Sequence, residues 1–290
     1  MIFDVEKNLQ TFREDGVLIL ENYLDDSTKL KINAEIQPWL SKVSFNSHIS
    51  SSVIGNNQWI EHLGLCSFHA LETILHPNLI SFAEQYFEEE ISLGSLQFQR
   101  KIFAESTGIP MHRDYGKGIY FFIFLNGADD STGATRFIKK SHLISMSEDR
   151  LRSGETKELY MDEAFIQNHQ EDILQATGGP GTMVVWDRGI AHDLPNFKKH
   201  GRELIMASLL PQSESPQKKD HLFRQSIIKK LSIKQKEVIF SGEQSGERNS
   251  LVQLGLEKSL LDDYGISRFK MLMYYFKFQA AQIIRQLFRI

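Results

Sequence analysis

Three short apolar stretches predict the strands of a β-rich core. Residues 119–125, 182–186 and 204–210 are almost wholly apolar and rich in aromatic or branched side chains, which is typical of strands buried in a sheet. Residues 96–99, Leu-Gln-Phe-Gln, alternate apolar and polar positions, as expected of a half-buried strand that begins this series. We therefore expect a mainly β fold with flanking helices.

Helical patterns precede and interrupt these strands. Residues 9–90 predict helices with one early strand, and one of these helices begins near Lys29, after the capping candidates Asp25, Asp26 and Ser27. A polar stretch at residues 145–171 has a helical pattern and lies between predicted strands. It is either a lid over a binding site or a surface excursion.

The composition changes after Pro211. Residues 213–219 are polar and predict a linker, and helical segments follow near residues 220–231 and 233–240. We therefore divide the chain into a β-rich domain at residues 1–212 and a helical C-terminal extension at residues 213–290. The extension is predicted to pack on the same domain or on a partner subunit.

The end of the extension predicts a basic amphipathic helix. The charged residues in 267–290 are all positive. The apolar residues recur at helical spacing, at Phe269, Leu272, Phe276, Ala280, Ile283 and Leu287. Such a helix either contacts a membrane surface or packs on protein. Packing is favoured because exposed aromatic residues promote association, which also leaves a homo-oligomer open.

Composition limits the classes of protein to consider. A chain of 290 residues with 41% hydrophobic content can bury a sizeable core, and a net charge of -4 gives no general attraction to nucleic acid. The single cysteine, Cys66, excludes an intrachain disulfide and is consistent with a reducing compartment. The chain has no apolar run long enough to span a bilayer and an early acid instead of a basic leader, so we expect a cytoplasmic protein.

The most informative motif is His112-Arg113-Asp114. On a strand, residues two apart project from the same face, so His112 and Asp114 can approach one ion while Arg113 points away. His192 follows the apolar stretch at 182–186 and is the best candidate for a third ligand. Two imidazoles and one carboxylate with open positions suit a non-haem iron(II) oxygenase. The competing interpretation is a solvated loop with an Arg113–Asp114 ion pair.

The order of motifs is more specific than the triplet. It includes Gly108 to Asp114, the strand at 119–125, Asn126-Gly127, Thr132 to His142, Gly178 to Thr182, Trp186 to His192, Asn196 and Arg202. This order, from about residue 9 to about 212, resembles the phytanoyl-CoA dioxygenase family of iron(II)/2-oxoglutarate oxygenases. The resemblance implies a double-stranded β-helix, or jelly roll, with a metal at its mouth. Where that family has a proline-glycine-serine-histidine turn, this chain has Lys139-Lys140-Ser141-His142.

The resemblance also implies the cofactors and their contacts. Iron(II) would be held by His112, Asp114 and His192, with 2-oxoglutarate and dioxygen as cosubstrates. Arg202 stands where the family has the arginine that binds the distal carboxylate of 2-oxoglutarate, a task suited to a planar charged fork. Taken alone, Arg202 also fits a basic surface loop. Family position further suggests that Arg100 or Phe122 contacts the cosubstrate.

The reaction expected from this resemblance is hydroxylation of a small metabolite with release of succinate and carbon dioxide. Asp114 disfavours halogenation, because a related halogenase needs a small residue there to admit chloride. Two alternatives remain: a jelly roll that binds a ligand without catalysis, and a cupin-type metalloenzyme that does not use 2-oxoglutarate. The complete ligand set argues against the first and Arg202 against the second.

Overall fold

The structure is a computed structural model and describes residues 3–40, 52–54, 57–101, 108–144, 152–153, 158–196, 202–214 and 223–240. The helices are α1 (Val5–Asp15), α2 (Asp26–Leu40), α3 (Phe68–Ile74), α4 (Pro77–Phe87), α5 (Glu163–Asn168), α6 (Gln225–Ile228) and α7 (Ile233–Phe240). The strands are β1 (Val17–Leu20), β2 (Ser52–Ile54), β3 (Asn57–Ile60), β4 (Ile91–Lys101), β5 (Ile109–Asp114), β6 (Ile119–Phe124), β7 (Arg136–Ile138), β8 (Arg152–Ser153), β9 (Glu158–Tyr160), β10 (Ile173–Gln175), β11 (Met183–Asp187), β12 (His192–Leu194) and β13 (Glu203–Pro211).

The strands form two antiparallel sheets that pack face to face. The larger sheet has the order β1-β11-β6-β13-β4-β3-β2, and the smaller sheet has the order β10-β7-β12-β5-β9-β8. Phe124, Trp186 and Leu204 of the larger sheet share one buried cluster with Phe137 of the smaller sheet. The predicted mainly β core with flanking helices is thus confirmed, and its two-layer sandwich has an interior between the sheets.

The other face of the larger sheet is covered by helices. Phe12 of α1 and Phe82 of α4 are fully buried there, with ring centroids 5.2 Å apart. They belong to the same cluster as Phe98 and Phe121 of the sheet. Because side chains alternate along a strand, Phe121 faces the helices while Phe122 faces the interior between the sheets.

Capping residues set the starts of the first two helices. The Asp4 side chain accepts a hydrogen bond from the Lys7 amide at the start of α1, and the Asp25 carboxylate accepts one from the Thr28 amide at the start of α2. Both satisfy amides that lack a partner within the helix. The helix predicted near Lys29 is therefore confirmed, beginning at Asp26.

The polar insertion is less helical than its pattern predicts. Within residues 145–171, α5 is the expected helix, but β8 and β9 are strands. β9 pairs antiparallel with β5, so that Tyr160 lies opposite His112 and Glu158 opposite Asp114. The insertion extends the smaller sheet because β5 offers it an open edge.

Residues 223–240, the described part of the C-terminal extension, pack on the helix-covered side. Phe223, Ile227 and Val238 are buried in the same cluster as α1 and α4, and Lys234 pairs with Glu84 at 2.6 Å. The predicted amphipathic helix at the C-terminus lies outside the described residues. Within the described ranges, no helix is both long and apolar enough to cross a membrane.

Candidate metal centre

The motif on β5 behaves as its alternation predicts. His112 and Asp114 share one side of the strand, and the His112 Nε2 and Asp114 Oδ1 atoms are 4.0 Å apart. Arg113 points the other way and is only 1% exposed. Its guanidinium donates hydrogen bonds to the backbone carbonyls of Ser141 and Ile144, so it does not form the solvated ion pair of the competing interpretation.

His192 completes the cluster from the neighbouring strand. It is the first residue of β12 and lies directly opposite His112 in the antiparallel ladder. The two imidazole centroids are 4.4 Å apart. One ligand atom from each of His112, Asp114 and His192 lies within 4.8 Å of the others. The structure therefore brings together all three residues that the sequence predicts as metal ligands.

Backbone hydrogen bonds fix the orientation of both imidazoles. The His112 Nδ1 atom is 2.8 Å from the Pro110 carbonyl, and the His192 Nδ1 atom is 3.0 Å from the Ile190 carbonyl. Because a carbonyl oxygen only accepts, each Nδ1 carries the proton and each Nε2 keeps a lone pair. A metal ligand needs this tautomer, held by an outer partner of this kind.

Burial keeps His192 neutral. Loss of hydration lowers the pKa of His192, and the neighbouring His112 lowers it further. Only the neutral imidazole coordinates a metal, so the lowered pKa extends metal-binding competence to more acidic pH. With one carboxylate that is a quarter exposed on its side chain, the donor set fits a 2-His-1-carboxylate iron(II) site.

Ser141, in the turn after β7, links β5 and β12 through hydrogen bonds. The Ser141 hydroxyl donates to the Ile138 carbonyl at 2.6 Å and accepts from the Ala191 amide at 2.8 Å. Its own carbonyl accepts from Arg113. Ser141 thus bridges the residue before His192 and the residue between His112 and Asp114. Sequence reasoning treated it as part of a turn, and no local pattern reveals this bridge.

Arg202 lies at the end of the interior where β13 begins. It is 3% exposed, and its Nη1 atom donates to the Gly133 carbonyl. It precedes β13 by one residue and alternates with Leu204 and Met206, which line the interior. Among the described residues, the buried Arg202 Nε atom has no hydrogen-bond acceptor. Burial lowers the pKa of Arg202 to about 10, so it stays charged at neutral pH.

The two other cosubstrate candidates lie on opposite faces of the sheet. Phe122 faces the interior and meets the Trp186 ring edge-on at 4.4 Å. Arg100 shares the helix side of β4 with Phe98, and its Nε atom donates to Glu203 at 2.6 Å. The structure therefore does not bring Arg100 to the site. Gln99, one position earlier, pairs with Leu204 and faces the interior.

Comparison with known proteins identifies related sequences and folds. The family model described as phytanoyl-CoA dioxygenase (PhyH) matches residues 12–193. The Fe(II)/2-oxoglutarate-dependent dioxygenase nvfF of Aspergillus novofumigatus is 28% identical over 159 residues, which is 46% of this chain and 52% of that protein. This chain thus matches about half the length of that curated relative.

Two solved structures share the fold. One is the epimerase SnoN in complex with Fe3+, alpha-ketoglutarate and nogalamycin RO, with a TM-score of 0.57, 17% identity, and coverage of 72% of this chain and 84% of that one. The other is the alpha-ketoglutarate-dependent epimerase SnoN from nogalamycin biosynthesis, with a TM-score of 0.54, 15% identity, and coverage of 72% and 83%. At these identities the likeness establishes the fold.

Proposed function

Because the chain belongs to the phytanoyl-CoA dioxygenase family, we propose that it is an Fe(II)- and 2-oxoglutarate-dependent dioxygenase that hydroxylates a small metabolite and releases succinate and carbon dioxide. The observation that carries the proposal is the convergence of donor atoms from His112, Asp114 and His192 within 4.8 Å. The relative nvfF, named as an Fe(II)/2-oxoglutarate-dependent dioxygenase, supports the cosubstrate part of the proposal.

Three side chains would hold the iron. His112 and His192 present their Nε2 lone pairs and Asp114 presents a carboxylate oxygen, which leaves three coordination positions for cosubstrates. When bound, iron(II) supplies the redox chemistry that couples dioxygen reduction and 2-oxoglutarate decarboxylation to substrate oxidation. The protein supplies position: the Pro110 and Ile190 carbonyls hold the two rings, and the Ser141 hydroxyl links the Ile138 carbonyl at the end of β7 to the amide of Ala191, which precedes His192.

Arg202 would bind the distal carboxylate of 2-oxoglutarate. It is a charged, buried guanidinium whose Nε donor has no acceptor among the described residues, at the end of the interior beyond Phe122 and Met206. A carboxylate there would satisfy the donor and offset the cost of burying the charge. The apolar Phe122 and Met206 side chains would contact the methylene carbons of the cosubstrate. This arrangement leaves the opposite, Tyr120 end of the interior for the primary substrate.

An anaerobic titration tests the proposal. Purified apoprotein is titrated with iron(II) and 2-oxoglutarate while the weak visible charge-transfer band of a chelated keto acid is followed. We expect the band in the wild type, its loss in His112→Ala and His192→Ala, and its retention in His169→Ala. His169 is the matched control because its Nδ1 also lies against a backbone carbonyl, that of Phe165, outside the metal cluster.

The result separates the alternatives as well. If the folded wild-type protein binds iron(II) but shows no charge-transfer band when 2-oxoglutarate is added, it is a metalloprotein that does not use this cosubstrate. A folded protein that binds neither is a non-catalytic jelly roll. Either outcome overturns the proposal.

A further inference from the structure

A second arginine, Arg188, lies at the mouth of the interior. Along β11, Val184 and Trp186 belong to the cluster between the sheets, whereas Asp187 turns to the helix side and accepts a hydrogen bond from the Tyr86 hydroxyl at 2.8 Å. The Arg188 amide donates to the Gly118 carbonyl at 2.9 Å, which extends the pairing of β11 with β6. Alternation therefore returns the Arg188 side chain to the inner side.

The contacts of Arg188 confirm that placement. Its guanidinium carbon lies 5.8 Å from the centroid of the Tyr120 ring. Tyr120 in turn stacks on Trp186, with centroids 5.4 Å apart and an interplanar angle of 25°. These two aromatic side chains and the guanidinium form a continuous surface, which we call the mouth surface, on the inner side of the larger sheet.

Arg188 has a buried hydrogen-bond donor that no described residue of the protein accepts. Its Nε atom is buried and has no acceptor among the described residues. A guanidinium normally has a carboxylate, a carbonyl or water opposite each of its donors, because a buried donor without a partner is costly. Glu214 also approaches Gly116, where an added Cβ would be 3.2 Å from the Glu214 Oε2 atom and 3.5 Å from the Arg188 Nη1 atom, but Glu214 itself is exposed.

The mouth surface is close to the metal ligands. The Trp186 and His192 ring centroids are 6.2 Å apart, and Arg188 is two residues further along, or about 6.6 Å on a strand. Burial raises the pKa of Tyr120, and the Asp114 carboxylate raises it further. An anion held by Arg188 would therefore extend its remaining atoms toward His112, Asp114 and His192.

The cosubstrate does not need Arg188, because Arg202 offers a guanidinium at the opposite end of the interior. Two arginines at opposite ends imply two different anionic groups. We infer that Arg188 binds a carboxylate or phosphate of the primary substrate, and that a planar or apolar part of the same molecule lies against Tyr120 and Trp186. The inference rests on the proposed function for its account of the reaction, and it names the class of substrate.

Simple probes test this inference. The protein with iron(II) and saturating 2-oxoglutarate, kept anaerobic, is titrated with 3-phenylpropionate, phenyl phosphate and the neutral 3-phenylpropionamide. Binding is followed calorimetrically and by the change in the charge-transfer band. We expect at least one anion to bind tighter than the amide, and the preferred anion distinguishes a carboxylate substrate from a phosphate one.

Variants locate the binding site. Arg188→Gln is expected to weaken binding of the preferred anion roughly tenfold or more, since a charged hydrogen bond is lost, and Arg188→Lys is expected to weaken it less because the charge remains. The matched control is Lys117→Gln, which removes the same charge from an exposed position on the turn after Asp114. It should change the affinity less than twofold.

Four outcomes decide between the explanations. If the anions bind no tighter than the amide, or bind Arg188→Gln as well as the wild type, the inference is wrong. Equal loss in Lys117→Gln would mean a general electrostatic effect and would also overturn it. If no charge-transfer band forms in the wild type, the proposed function fails, and the calorimetric titration of the apoprotein still tests Arg188 by the same comparison.

Discussion

His192 lies directly opposite His112 across the ladder between β12 and β5, with ring centroids 4.4 Å apart. Each ring is also fixed by a backbone carbonyl two residues earlier on its own chain segment. The two Nε2 atoms are therefore positioned by the sheet itself, before any metal binds. Pre-positioned ligands of this kind reduce the ordering cost of metal binding.

Loss of a ligand should abolish turnover. We expect iron-dependent 2-oxoglutarate turnover to fall more than roughly 100-fold in Asp114→Ala and in His112→Ala. Loss of an outer hydrogen-bond partner of a metal ligand costs up to about 100-fold, and loss of the ligand itself should cost more. Succinate release at saturating iron measures this, and the circular dichroism spectrum reports whether the variants are folded. Full activity in either folded variant would contradict the assignment of the metal site.

Arg202 and Arg100 form a matched pair for testing the cosubstrate contact. Arg202→Gln should raise the dissociation constant of 2-oxoglutarate roughly 10- to 100-fold, as expected for loss of a charged hydrogen bond worth about 1.5–3 kcal/mol, with little change in iron affinity. Arg100→Gln should leave both constants unchanged, because Arg100 pairs with Glu203 on the helix side. Charge-transfer titrations measure both constants, and the reverse ranking would mean that the cosubstrate binds elsewhere.

Ser141 should matter for iron affinity although it does not contact the metal. Ser141→Ala removes the bridge from the Ile138 carbonyl to the Ala191 amide, so His192 should be held less rigidly. We expect about tenfold weaker iron(II) binding and a loss of about 1–3 kcal/mol in the free energy of unfolding.

The control for Ser141 is Ser81→Ala on α4, where the hydroxyl accepts a hydrogen bond from Gln85 at the surface. Ser141→Thr keeps the hydroxyl and should recover part of the iron affinity if its extra methyl group is accommodated. If Ser141→Ala loses stability and keeps full iron affinity, the bridge is purely structural.

The apoprotein should become less stable in mild acid. The pKa of His192 is lowered in the folded state, so below its unfolded value of about 6.5 the unfolded chain binds a proton that the folded protein resists. The free energy of unfolding therefore falls as the pH drops from 7.5 through 6.5. The contribution of His192 to this fall ends below the lowered pKa, where both the folded and the unfolded states bind the proton. Urea denaturation at several pH values measures the slope, which should shrink in His192→Asn.

The free energy of unfolding of the metal-bound protein should depend more steeply on pH in the same range. Manganese(II), a redox-stable substitute for iron(II), requires the same neutral imidazoles, so protons compete with it for His192. Its stabilising effect should be larger at pH 7.5 than at pH 5.5. An equal effect at both values would mean that the added metal binds elsewhere.

The sequence predicts the three residues of the candidate metal centre because they depend on local alternation and motif order, which a single chain displays. It does not predict the side of β4 on which Arg100 lies, since Gln99 and Arg100 are both polar and only pairing with β13 decides which faces the interior. The strand character of β9 depends on the open edge of β5, a long-range condition. Arg188 follows a predicted strand, but its inward direction becomes apparent only from Tyr120 and Gly118.

Pairing on both sides of β5 has a consequence for the fidelity of the site. A slip of one residue in a strand moves every side chain to the opposite face, and in β5 it would aim the positive Arg113 at the proposed cation site. β12 on one side and β9 on the other both hold the present register. The short β9 segment of the insertion therefore helps to fix the register of β5. It disfavours a misaligned pairing in which the candidate metal centre would hold the positive Arg113 side chain in place of the Asp114 carboxylate.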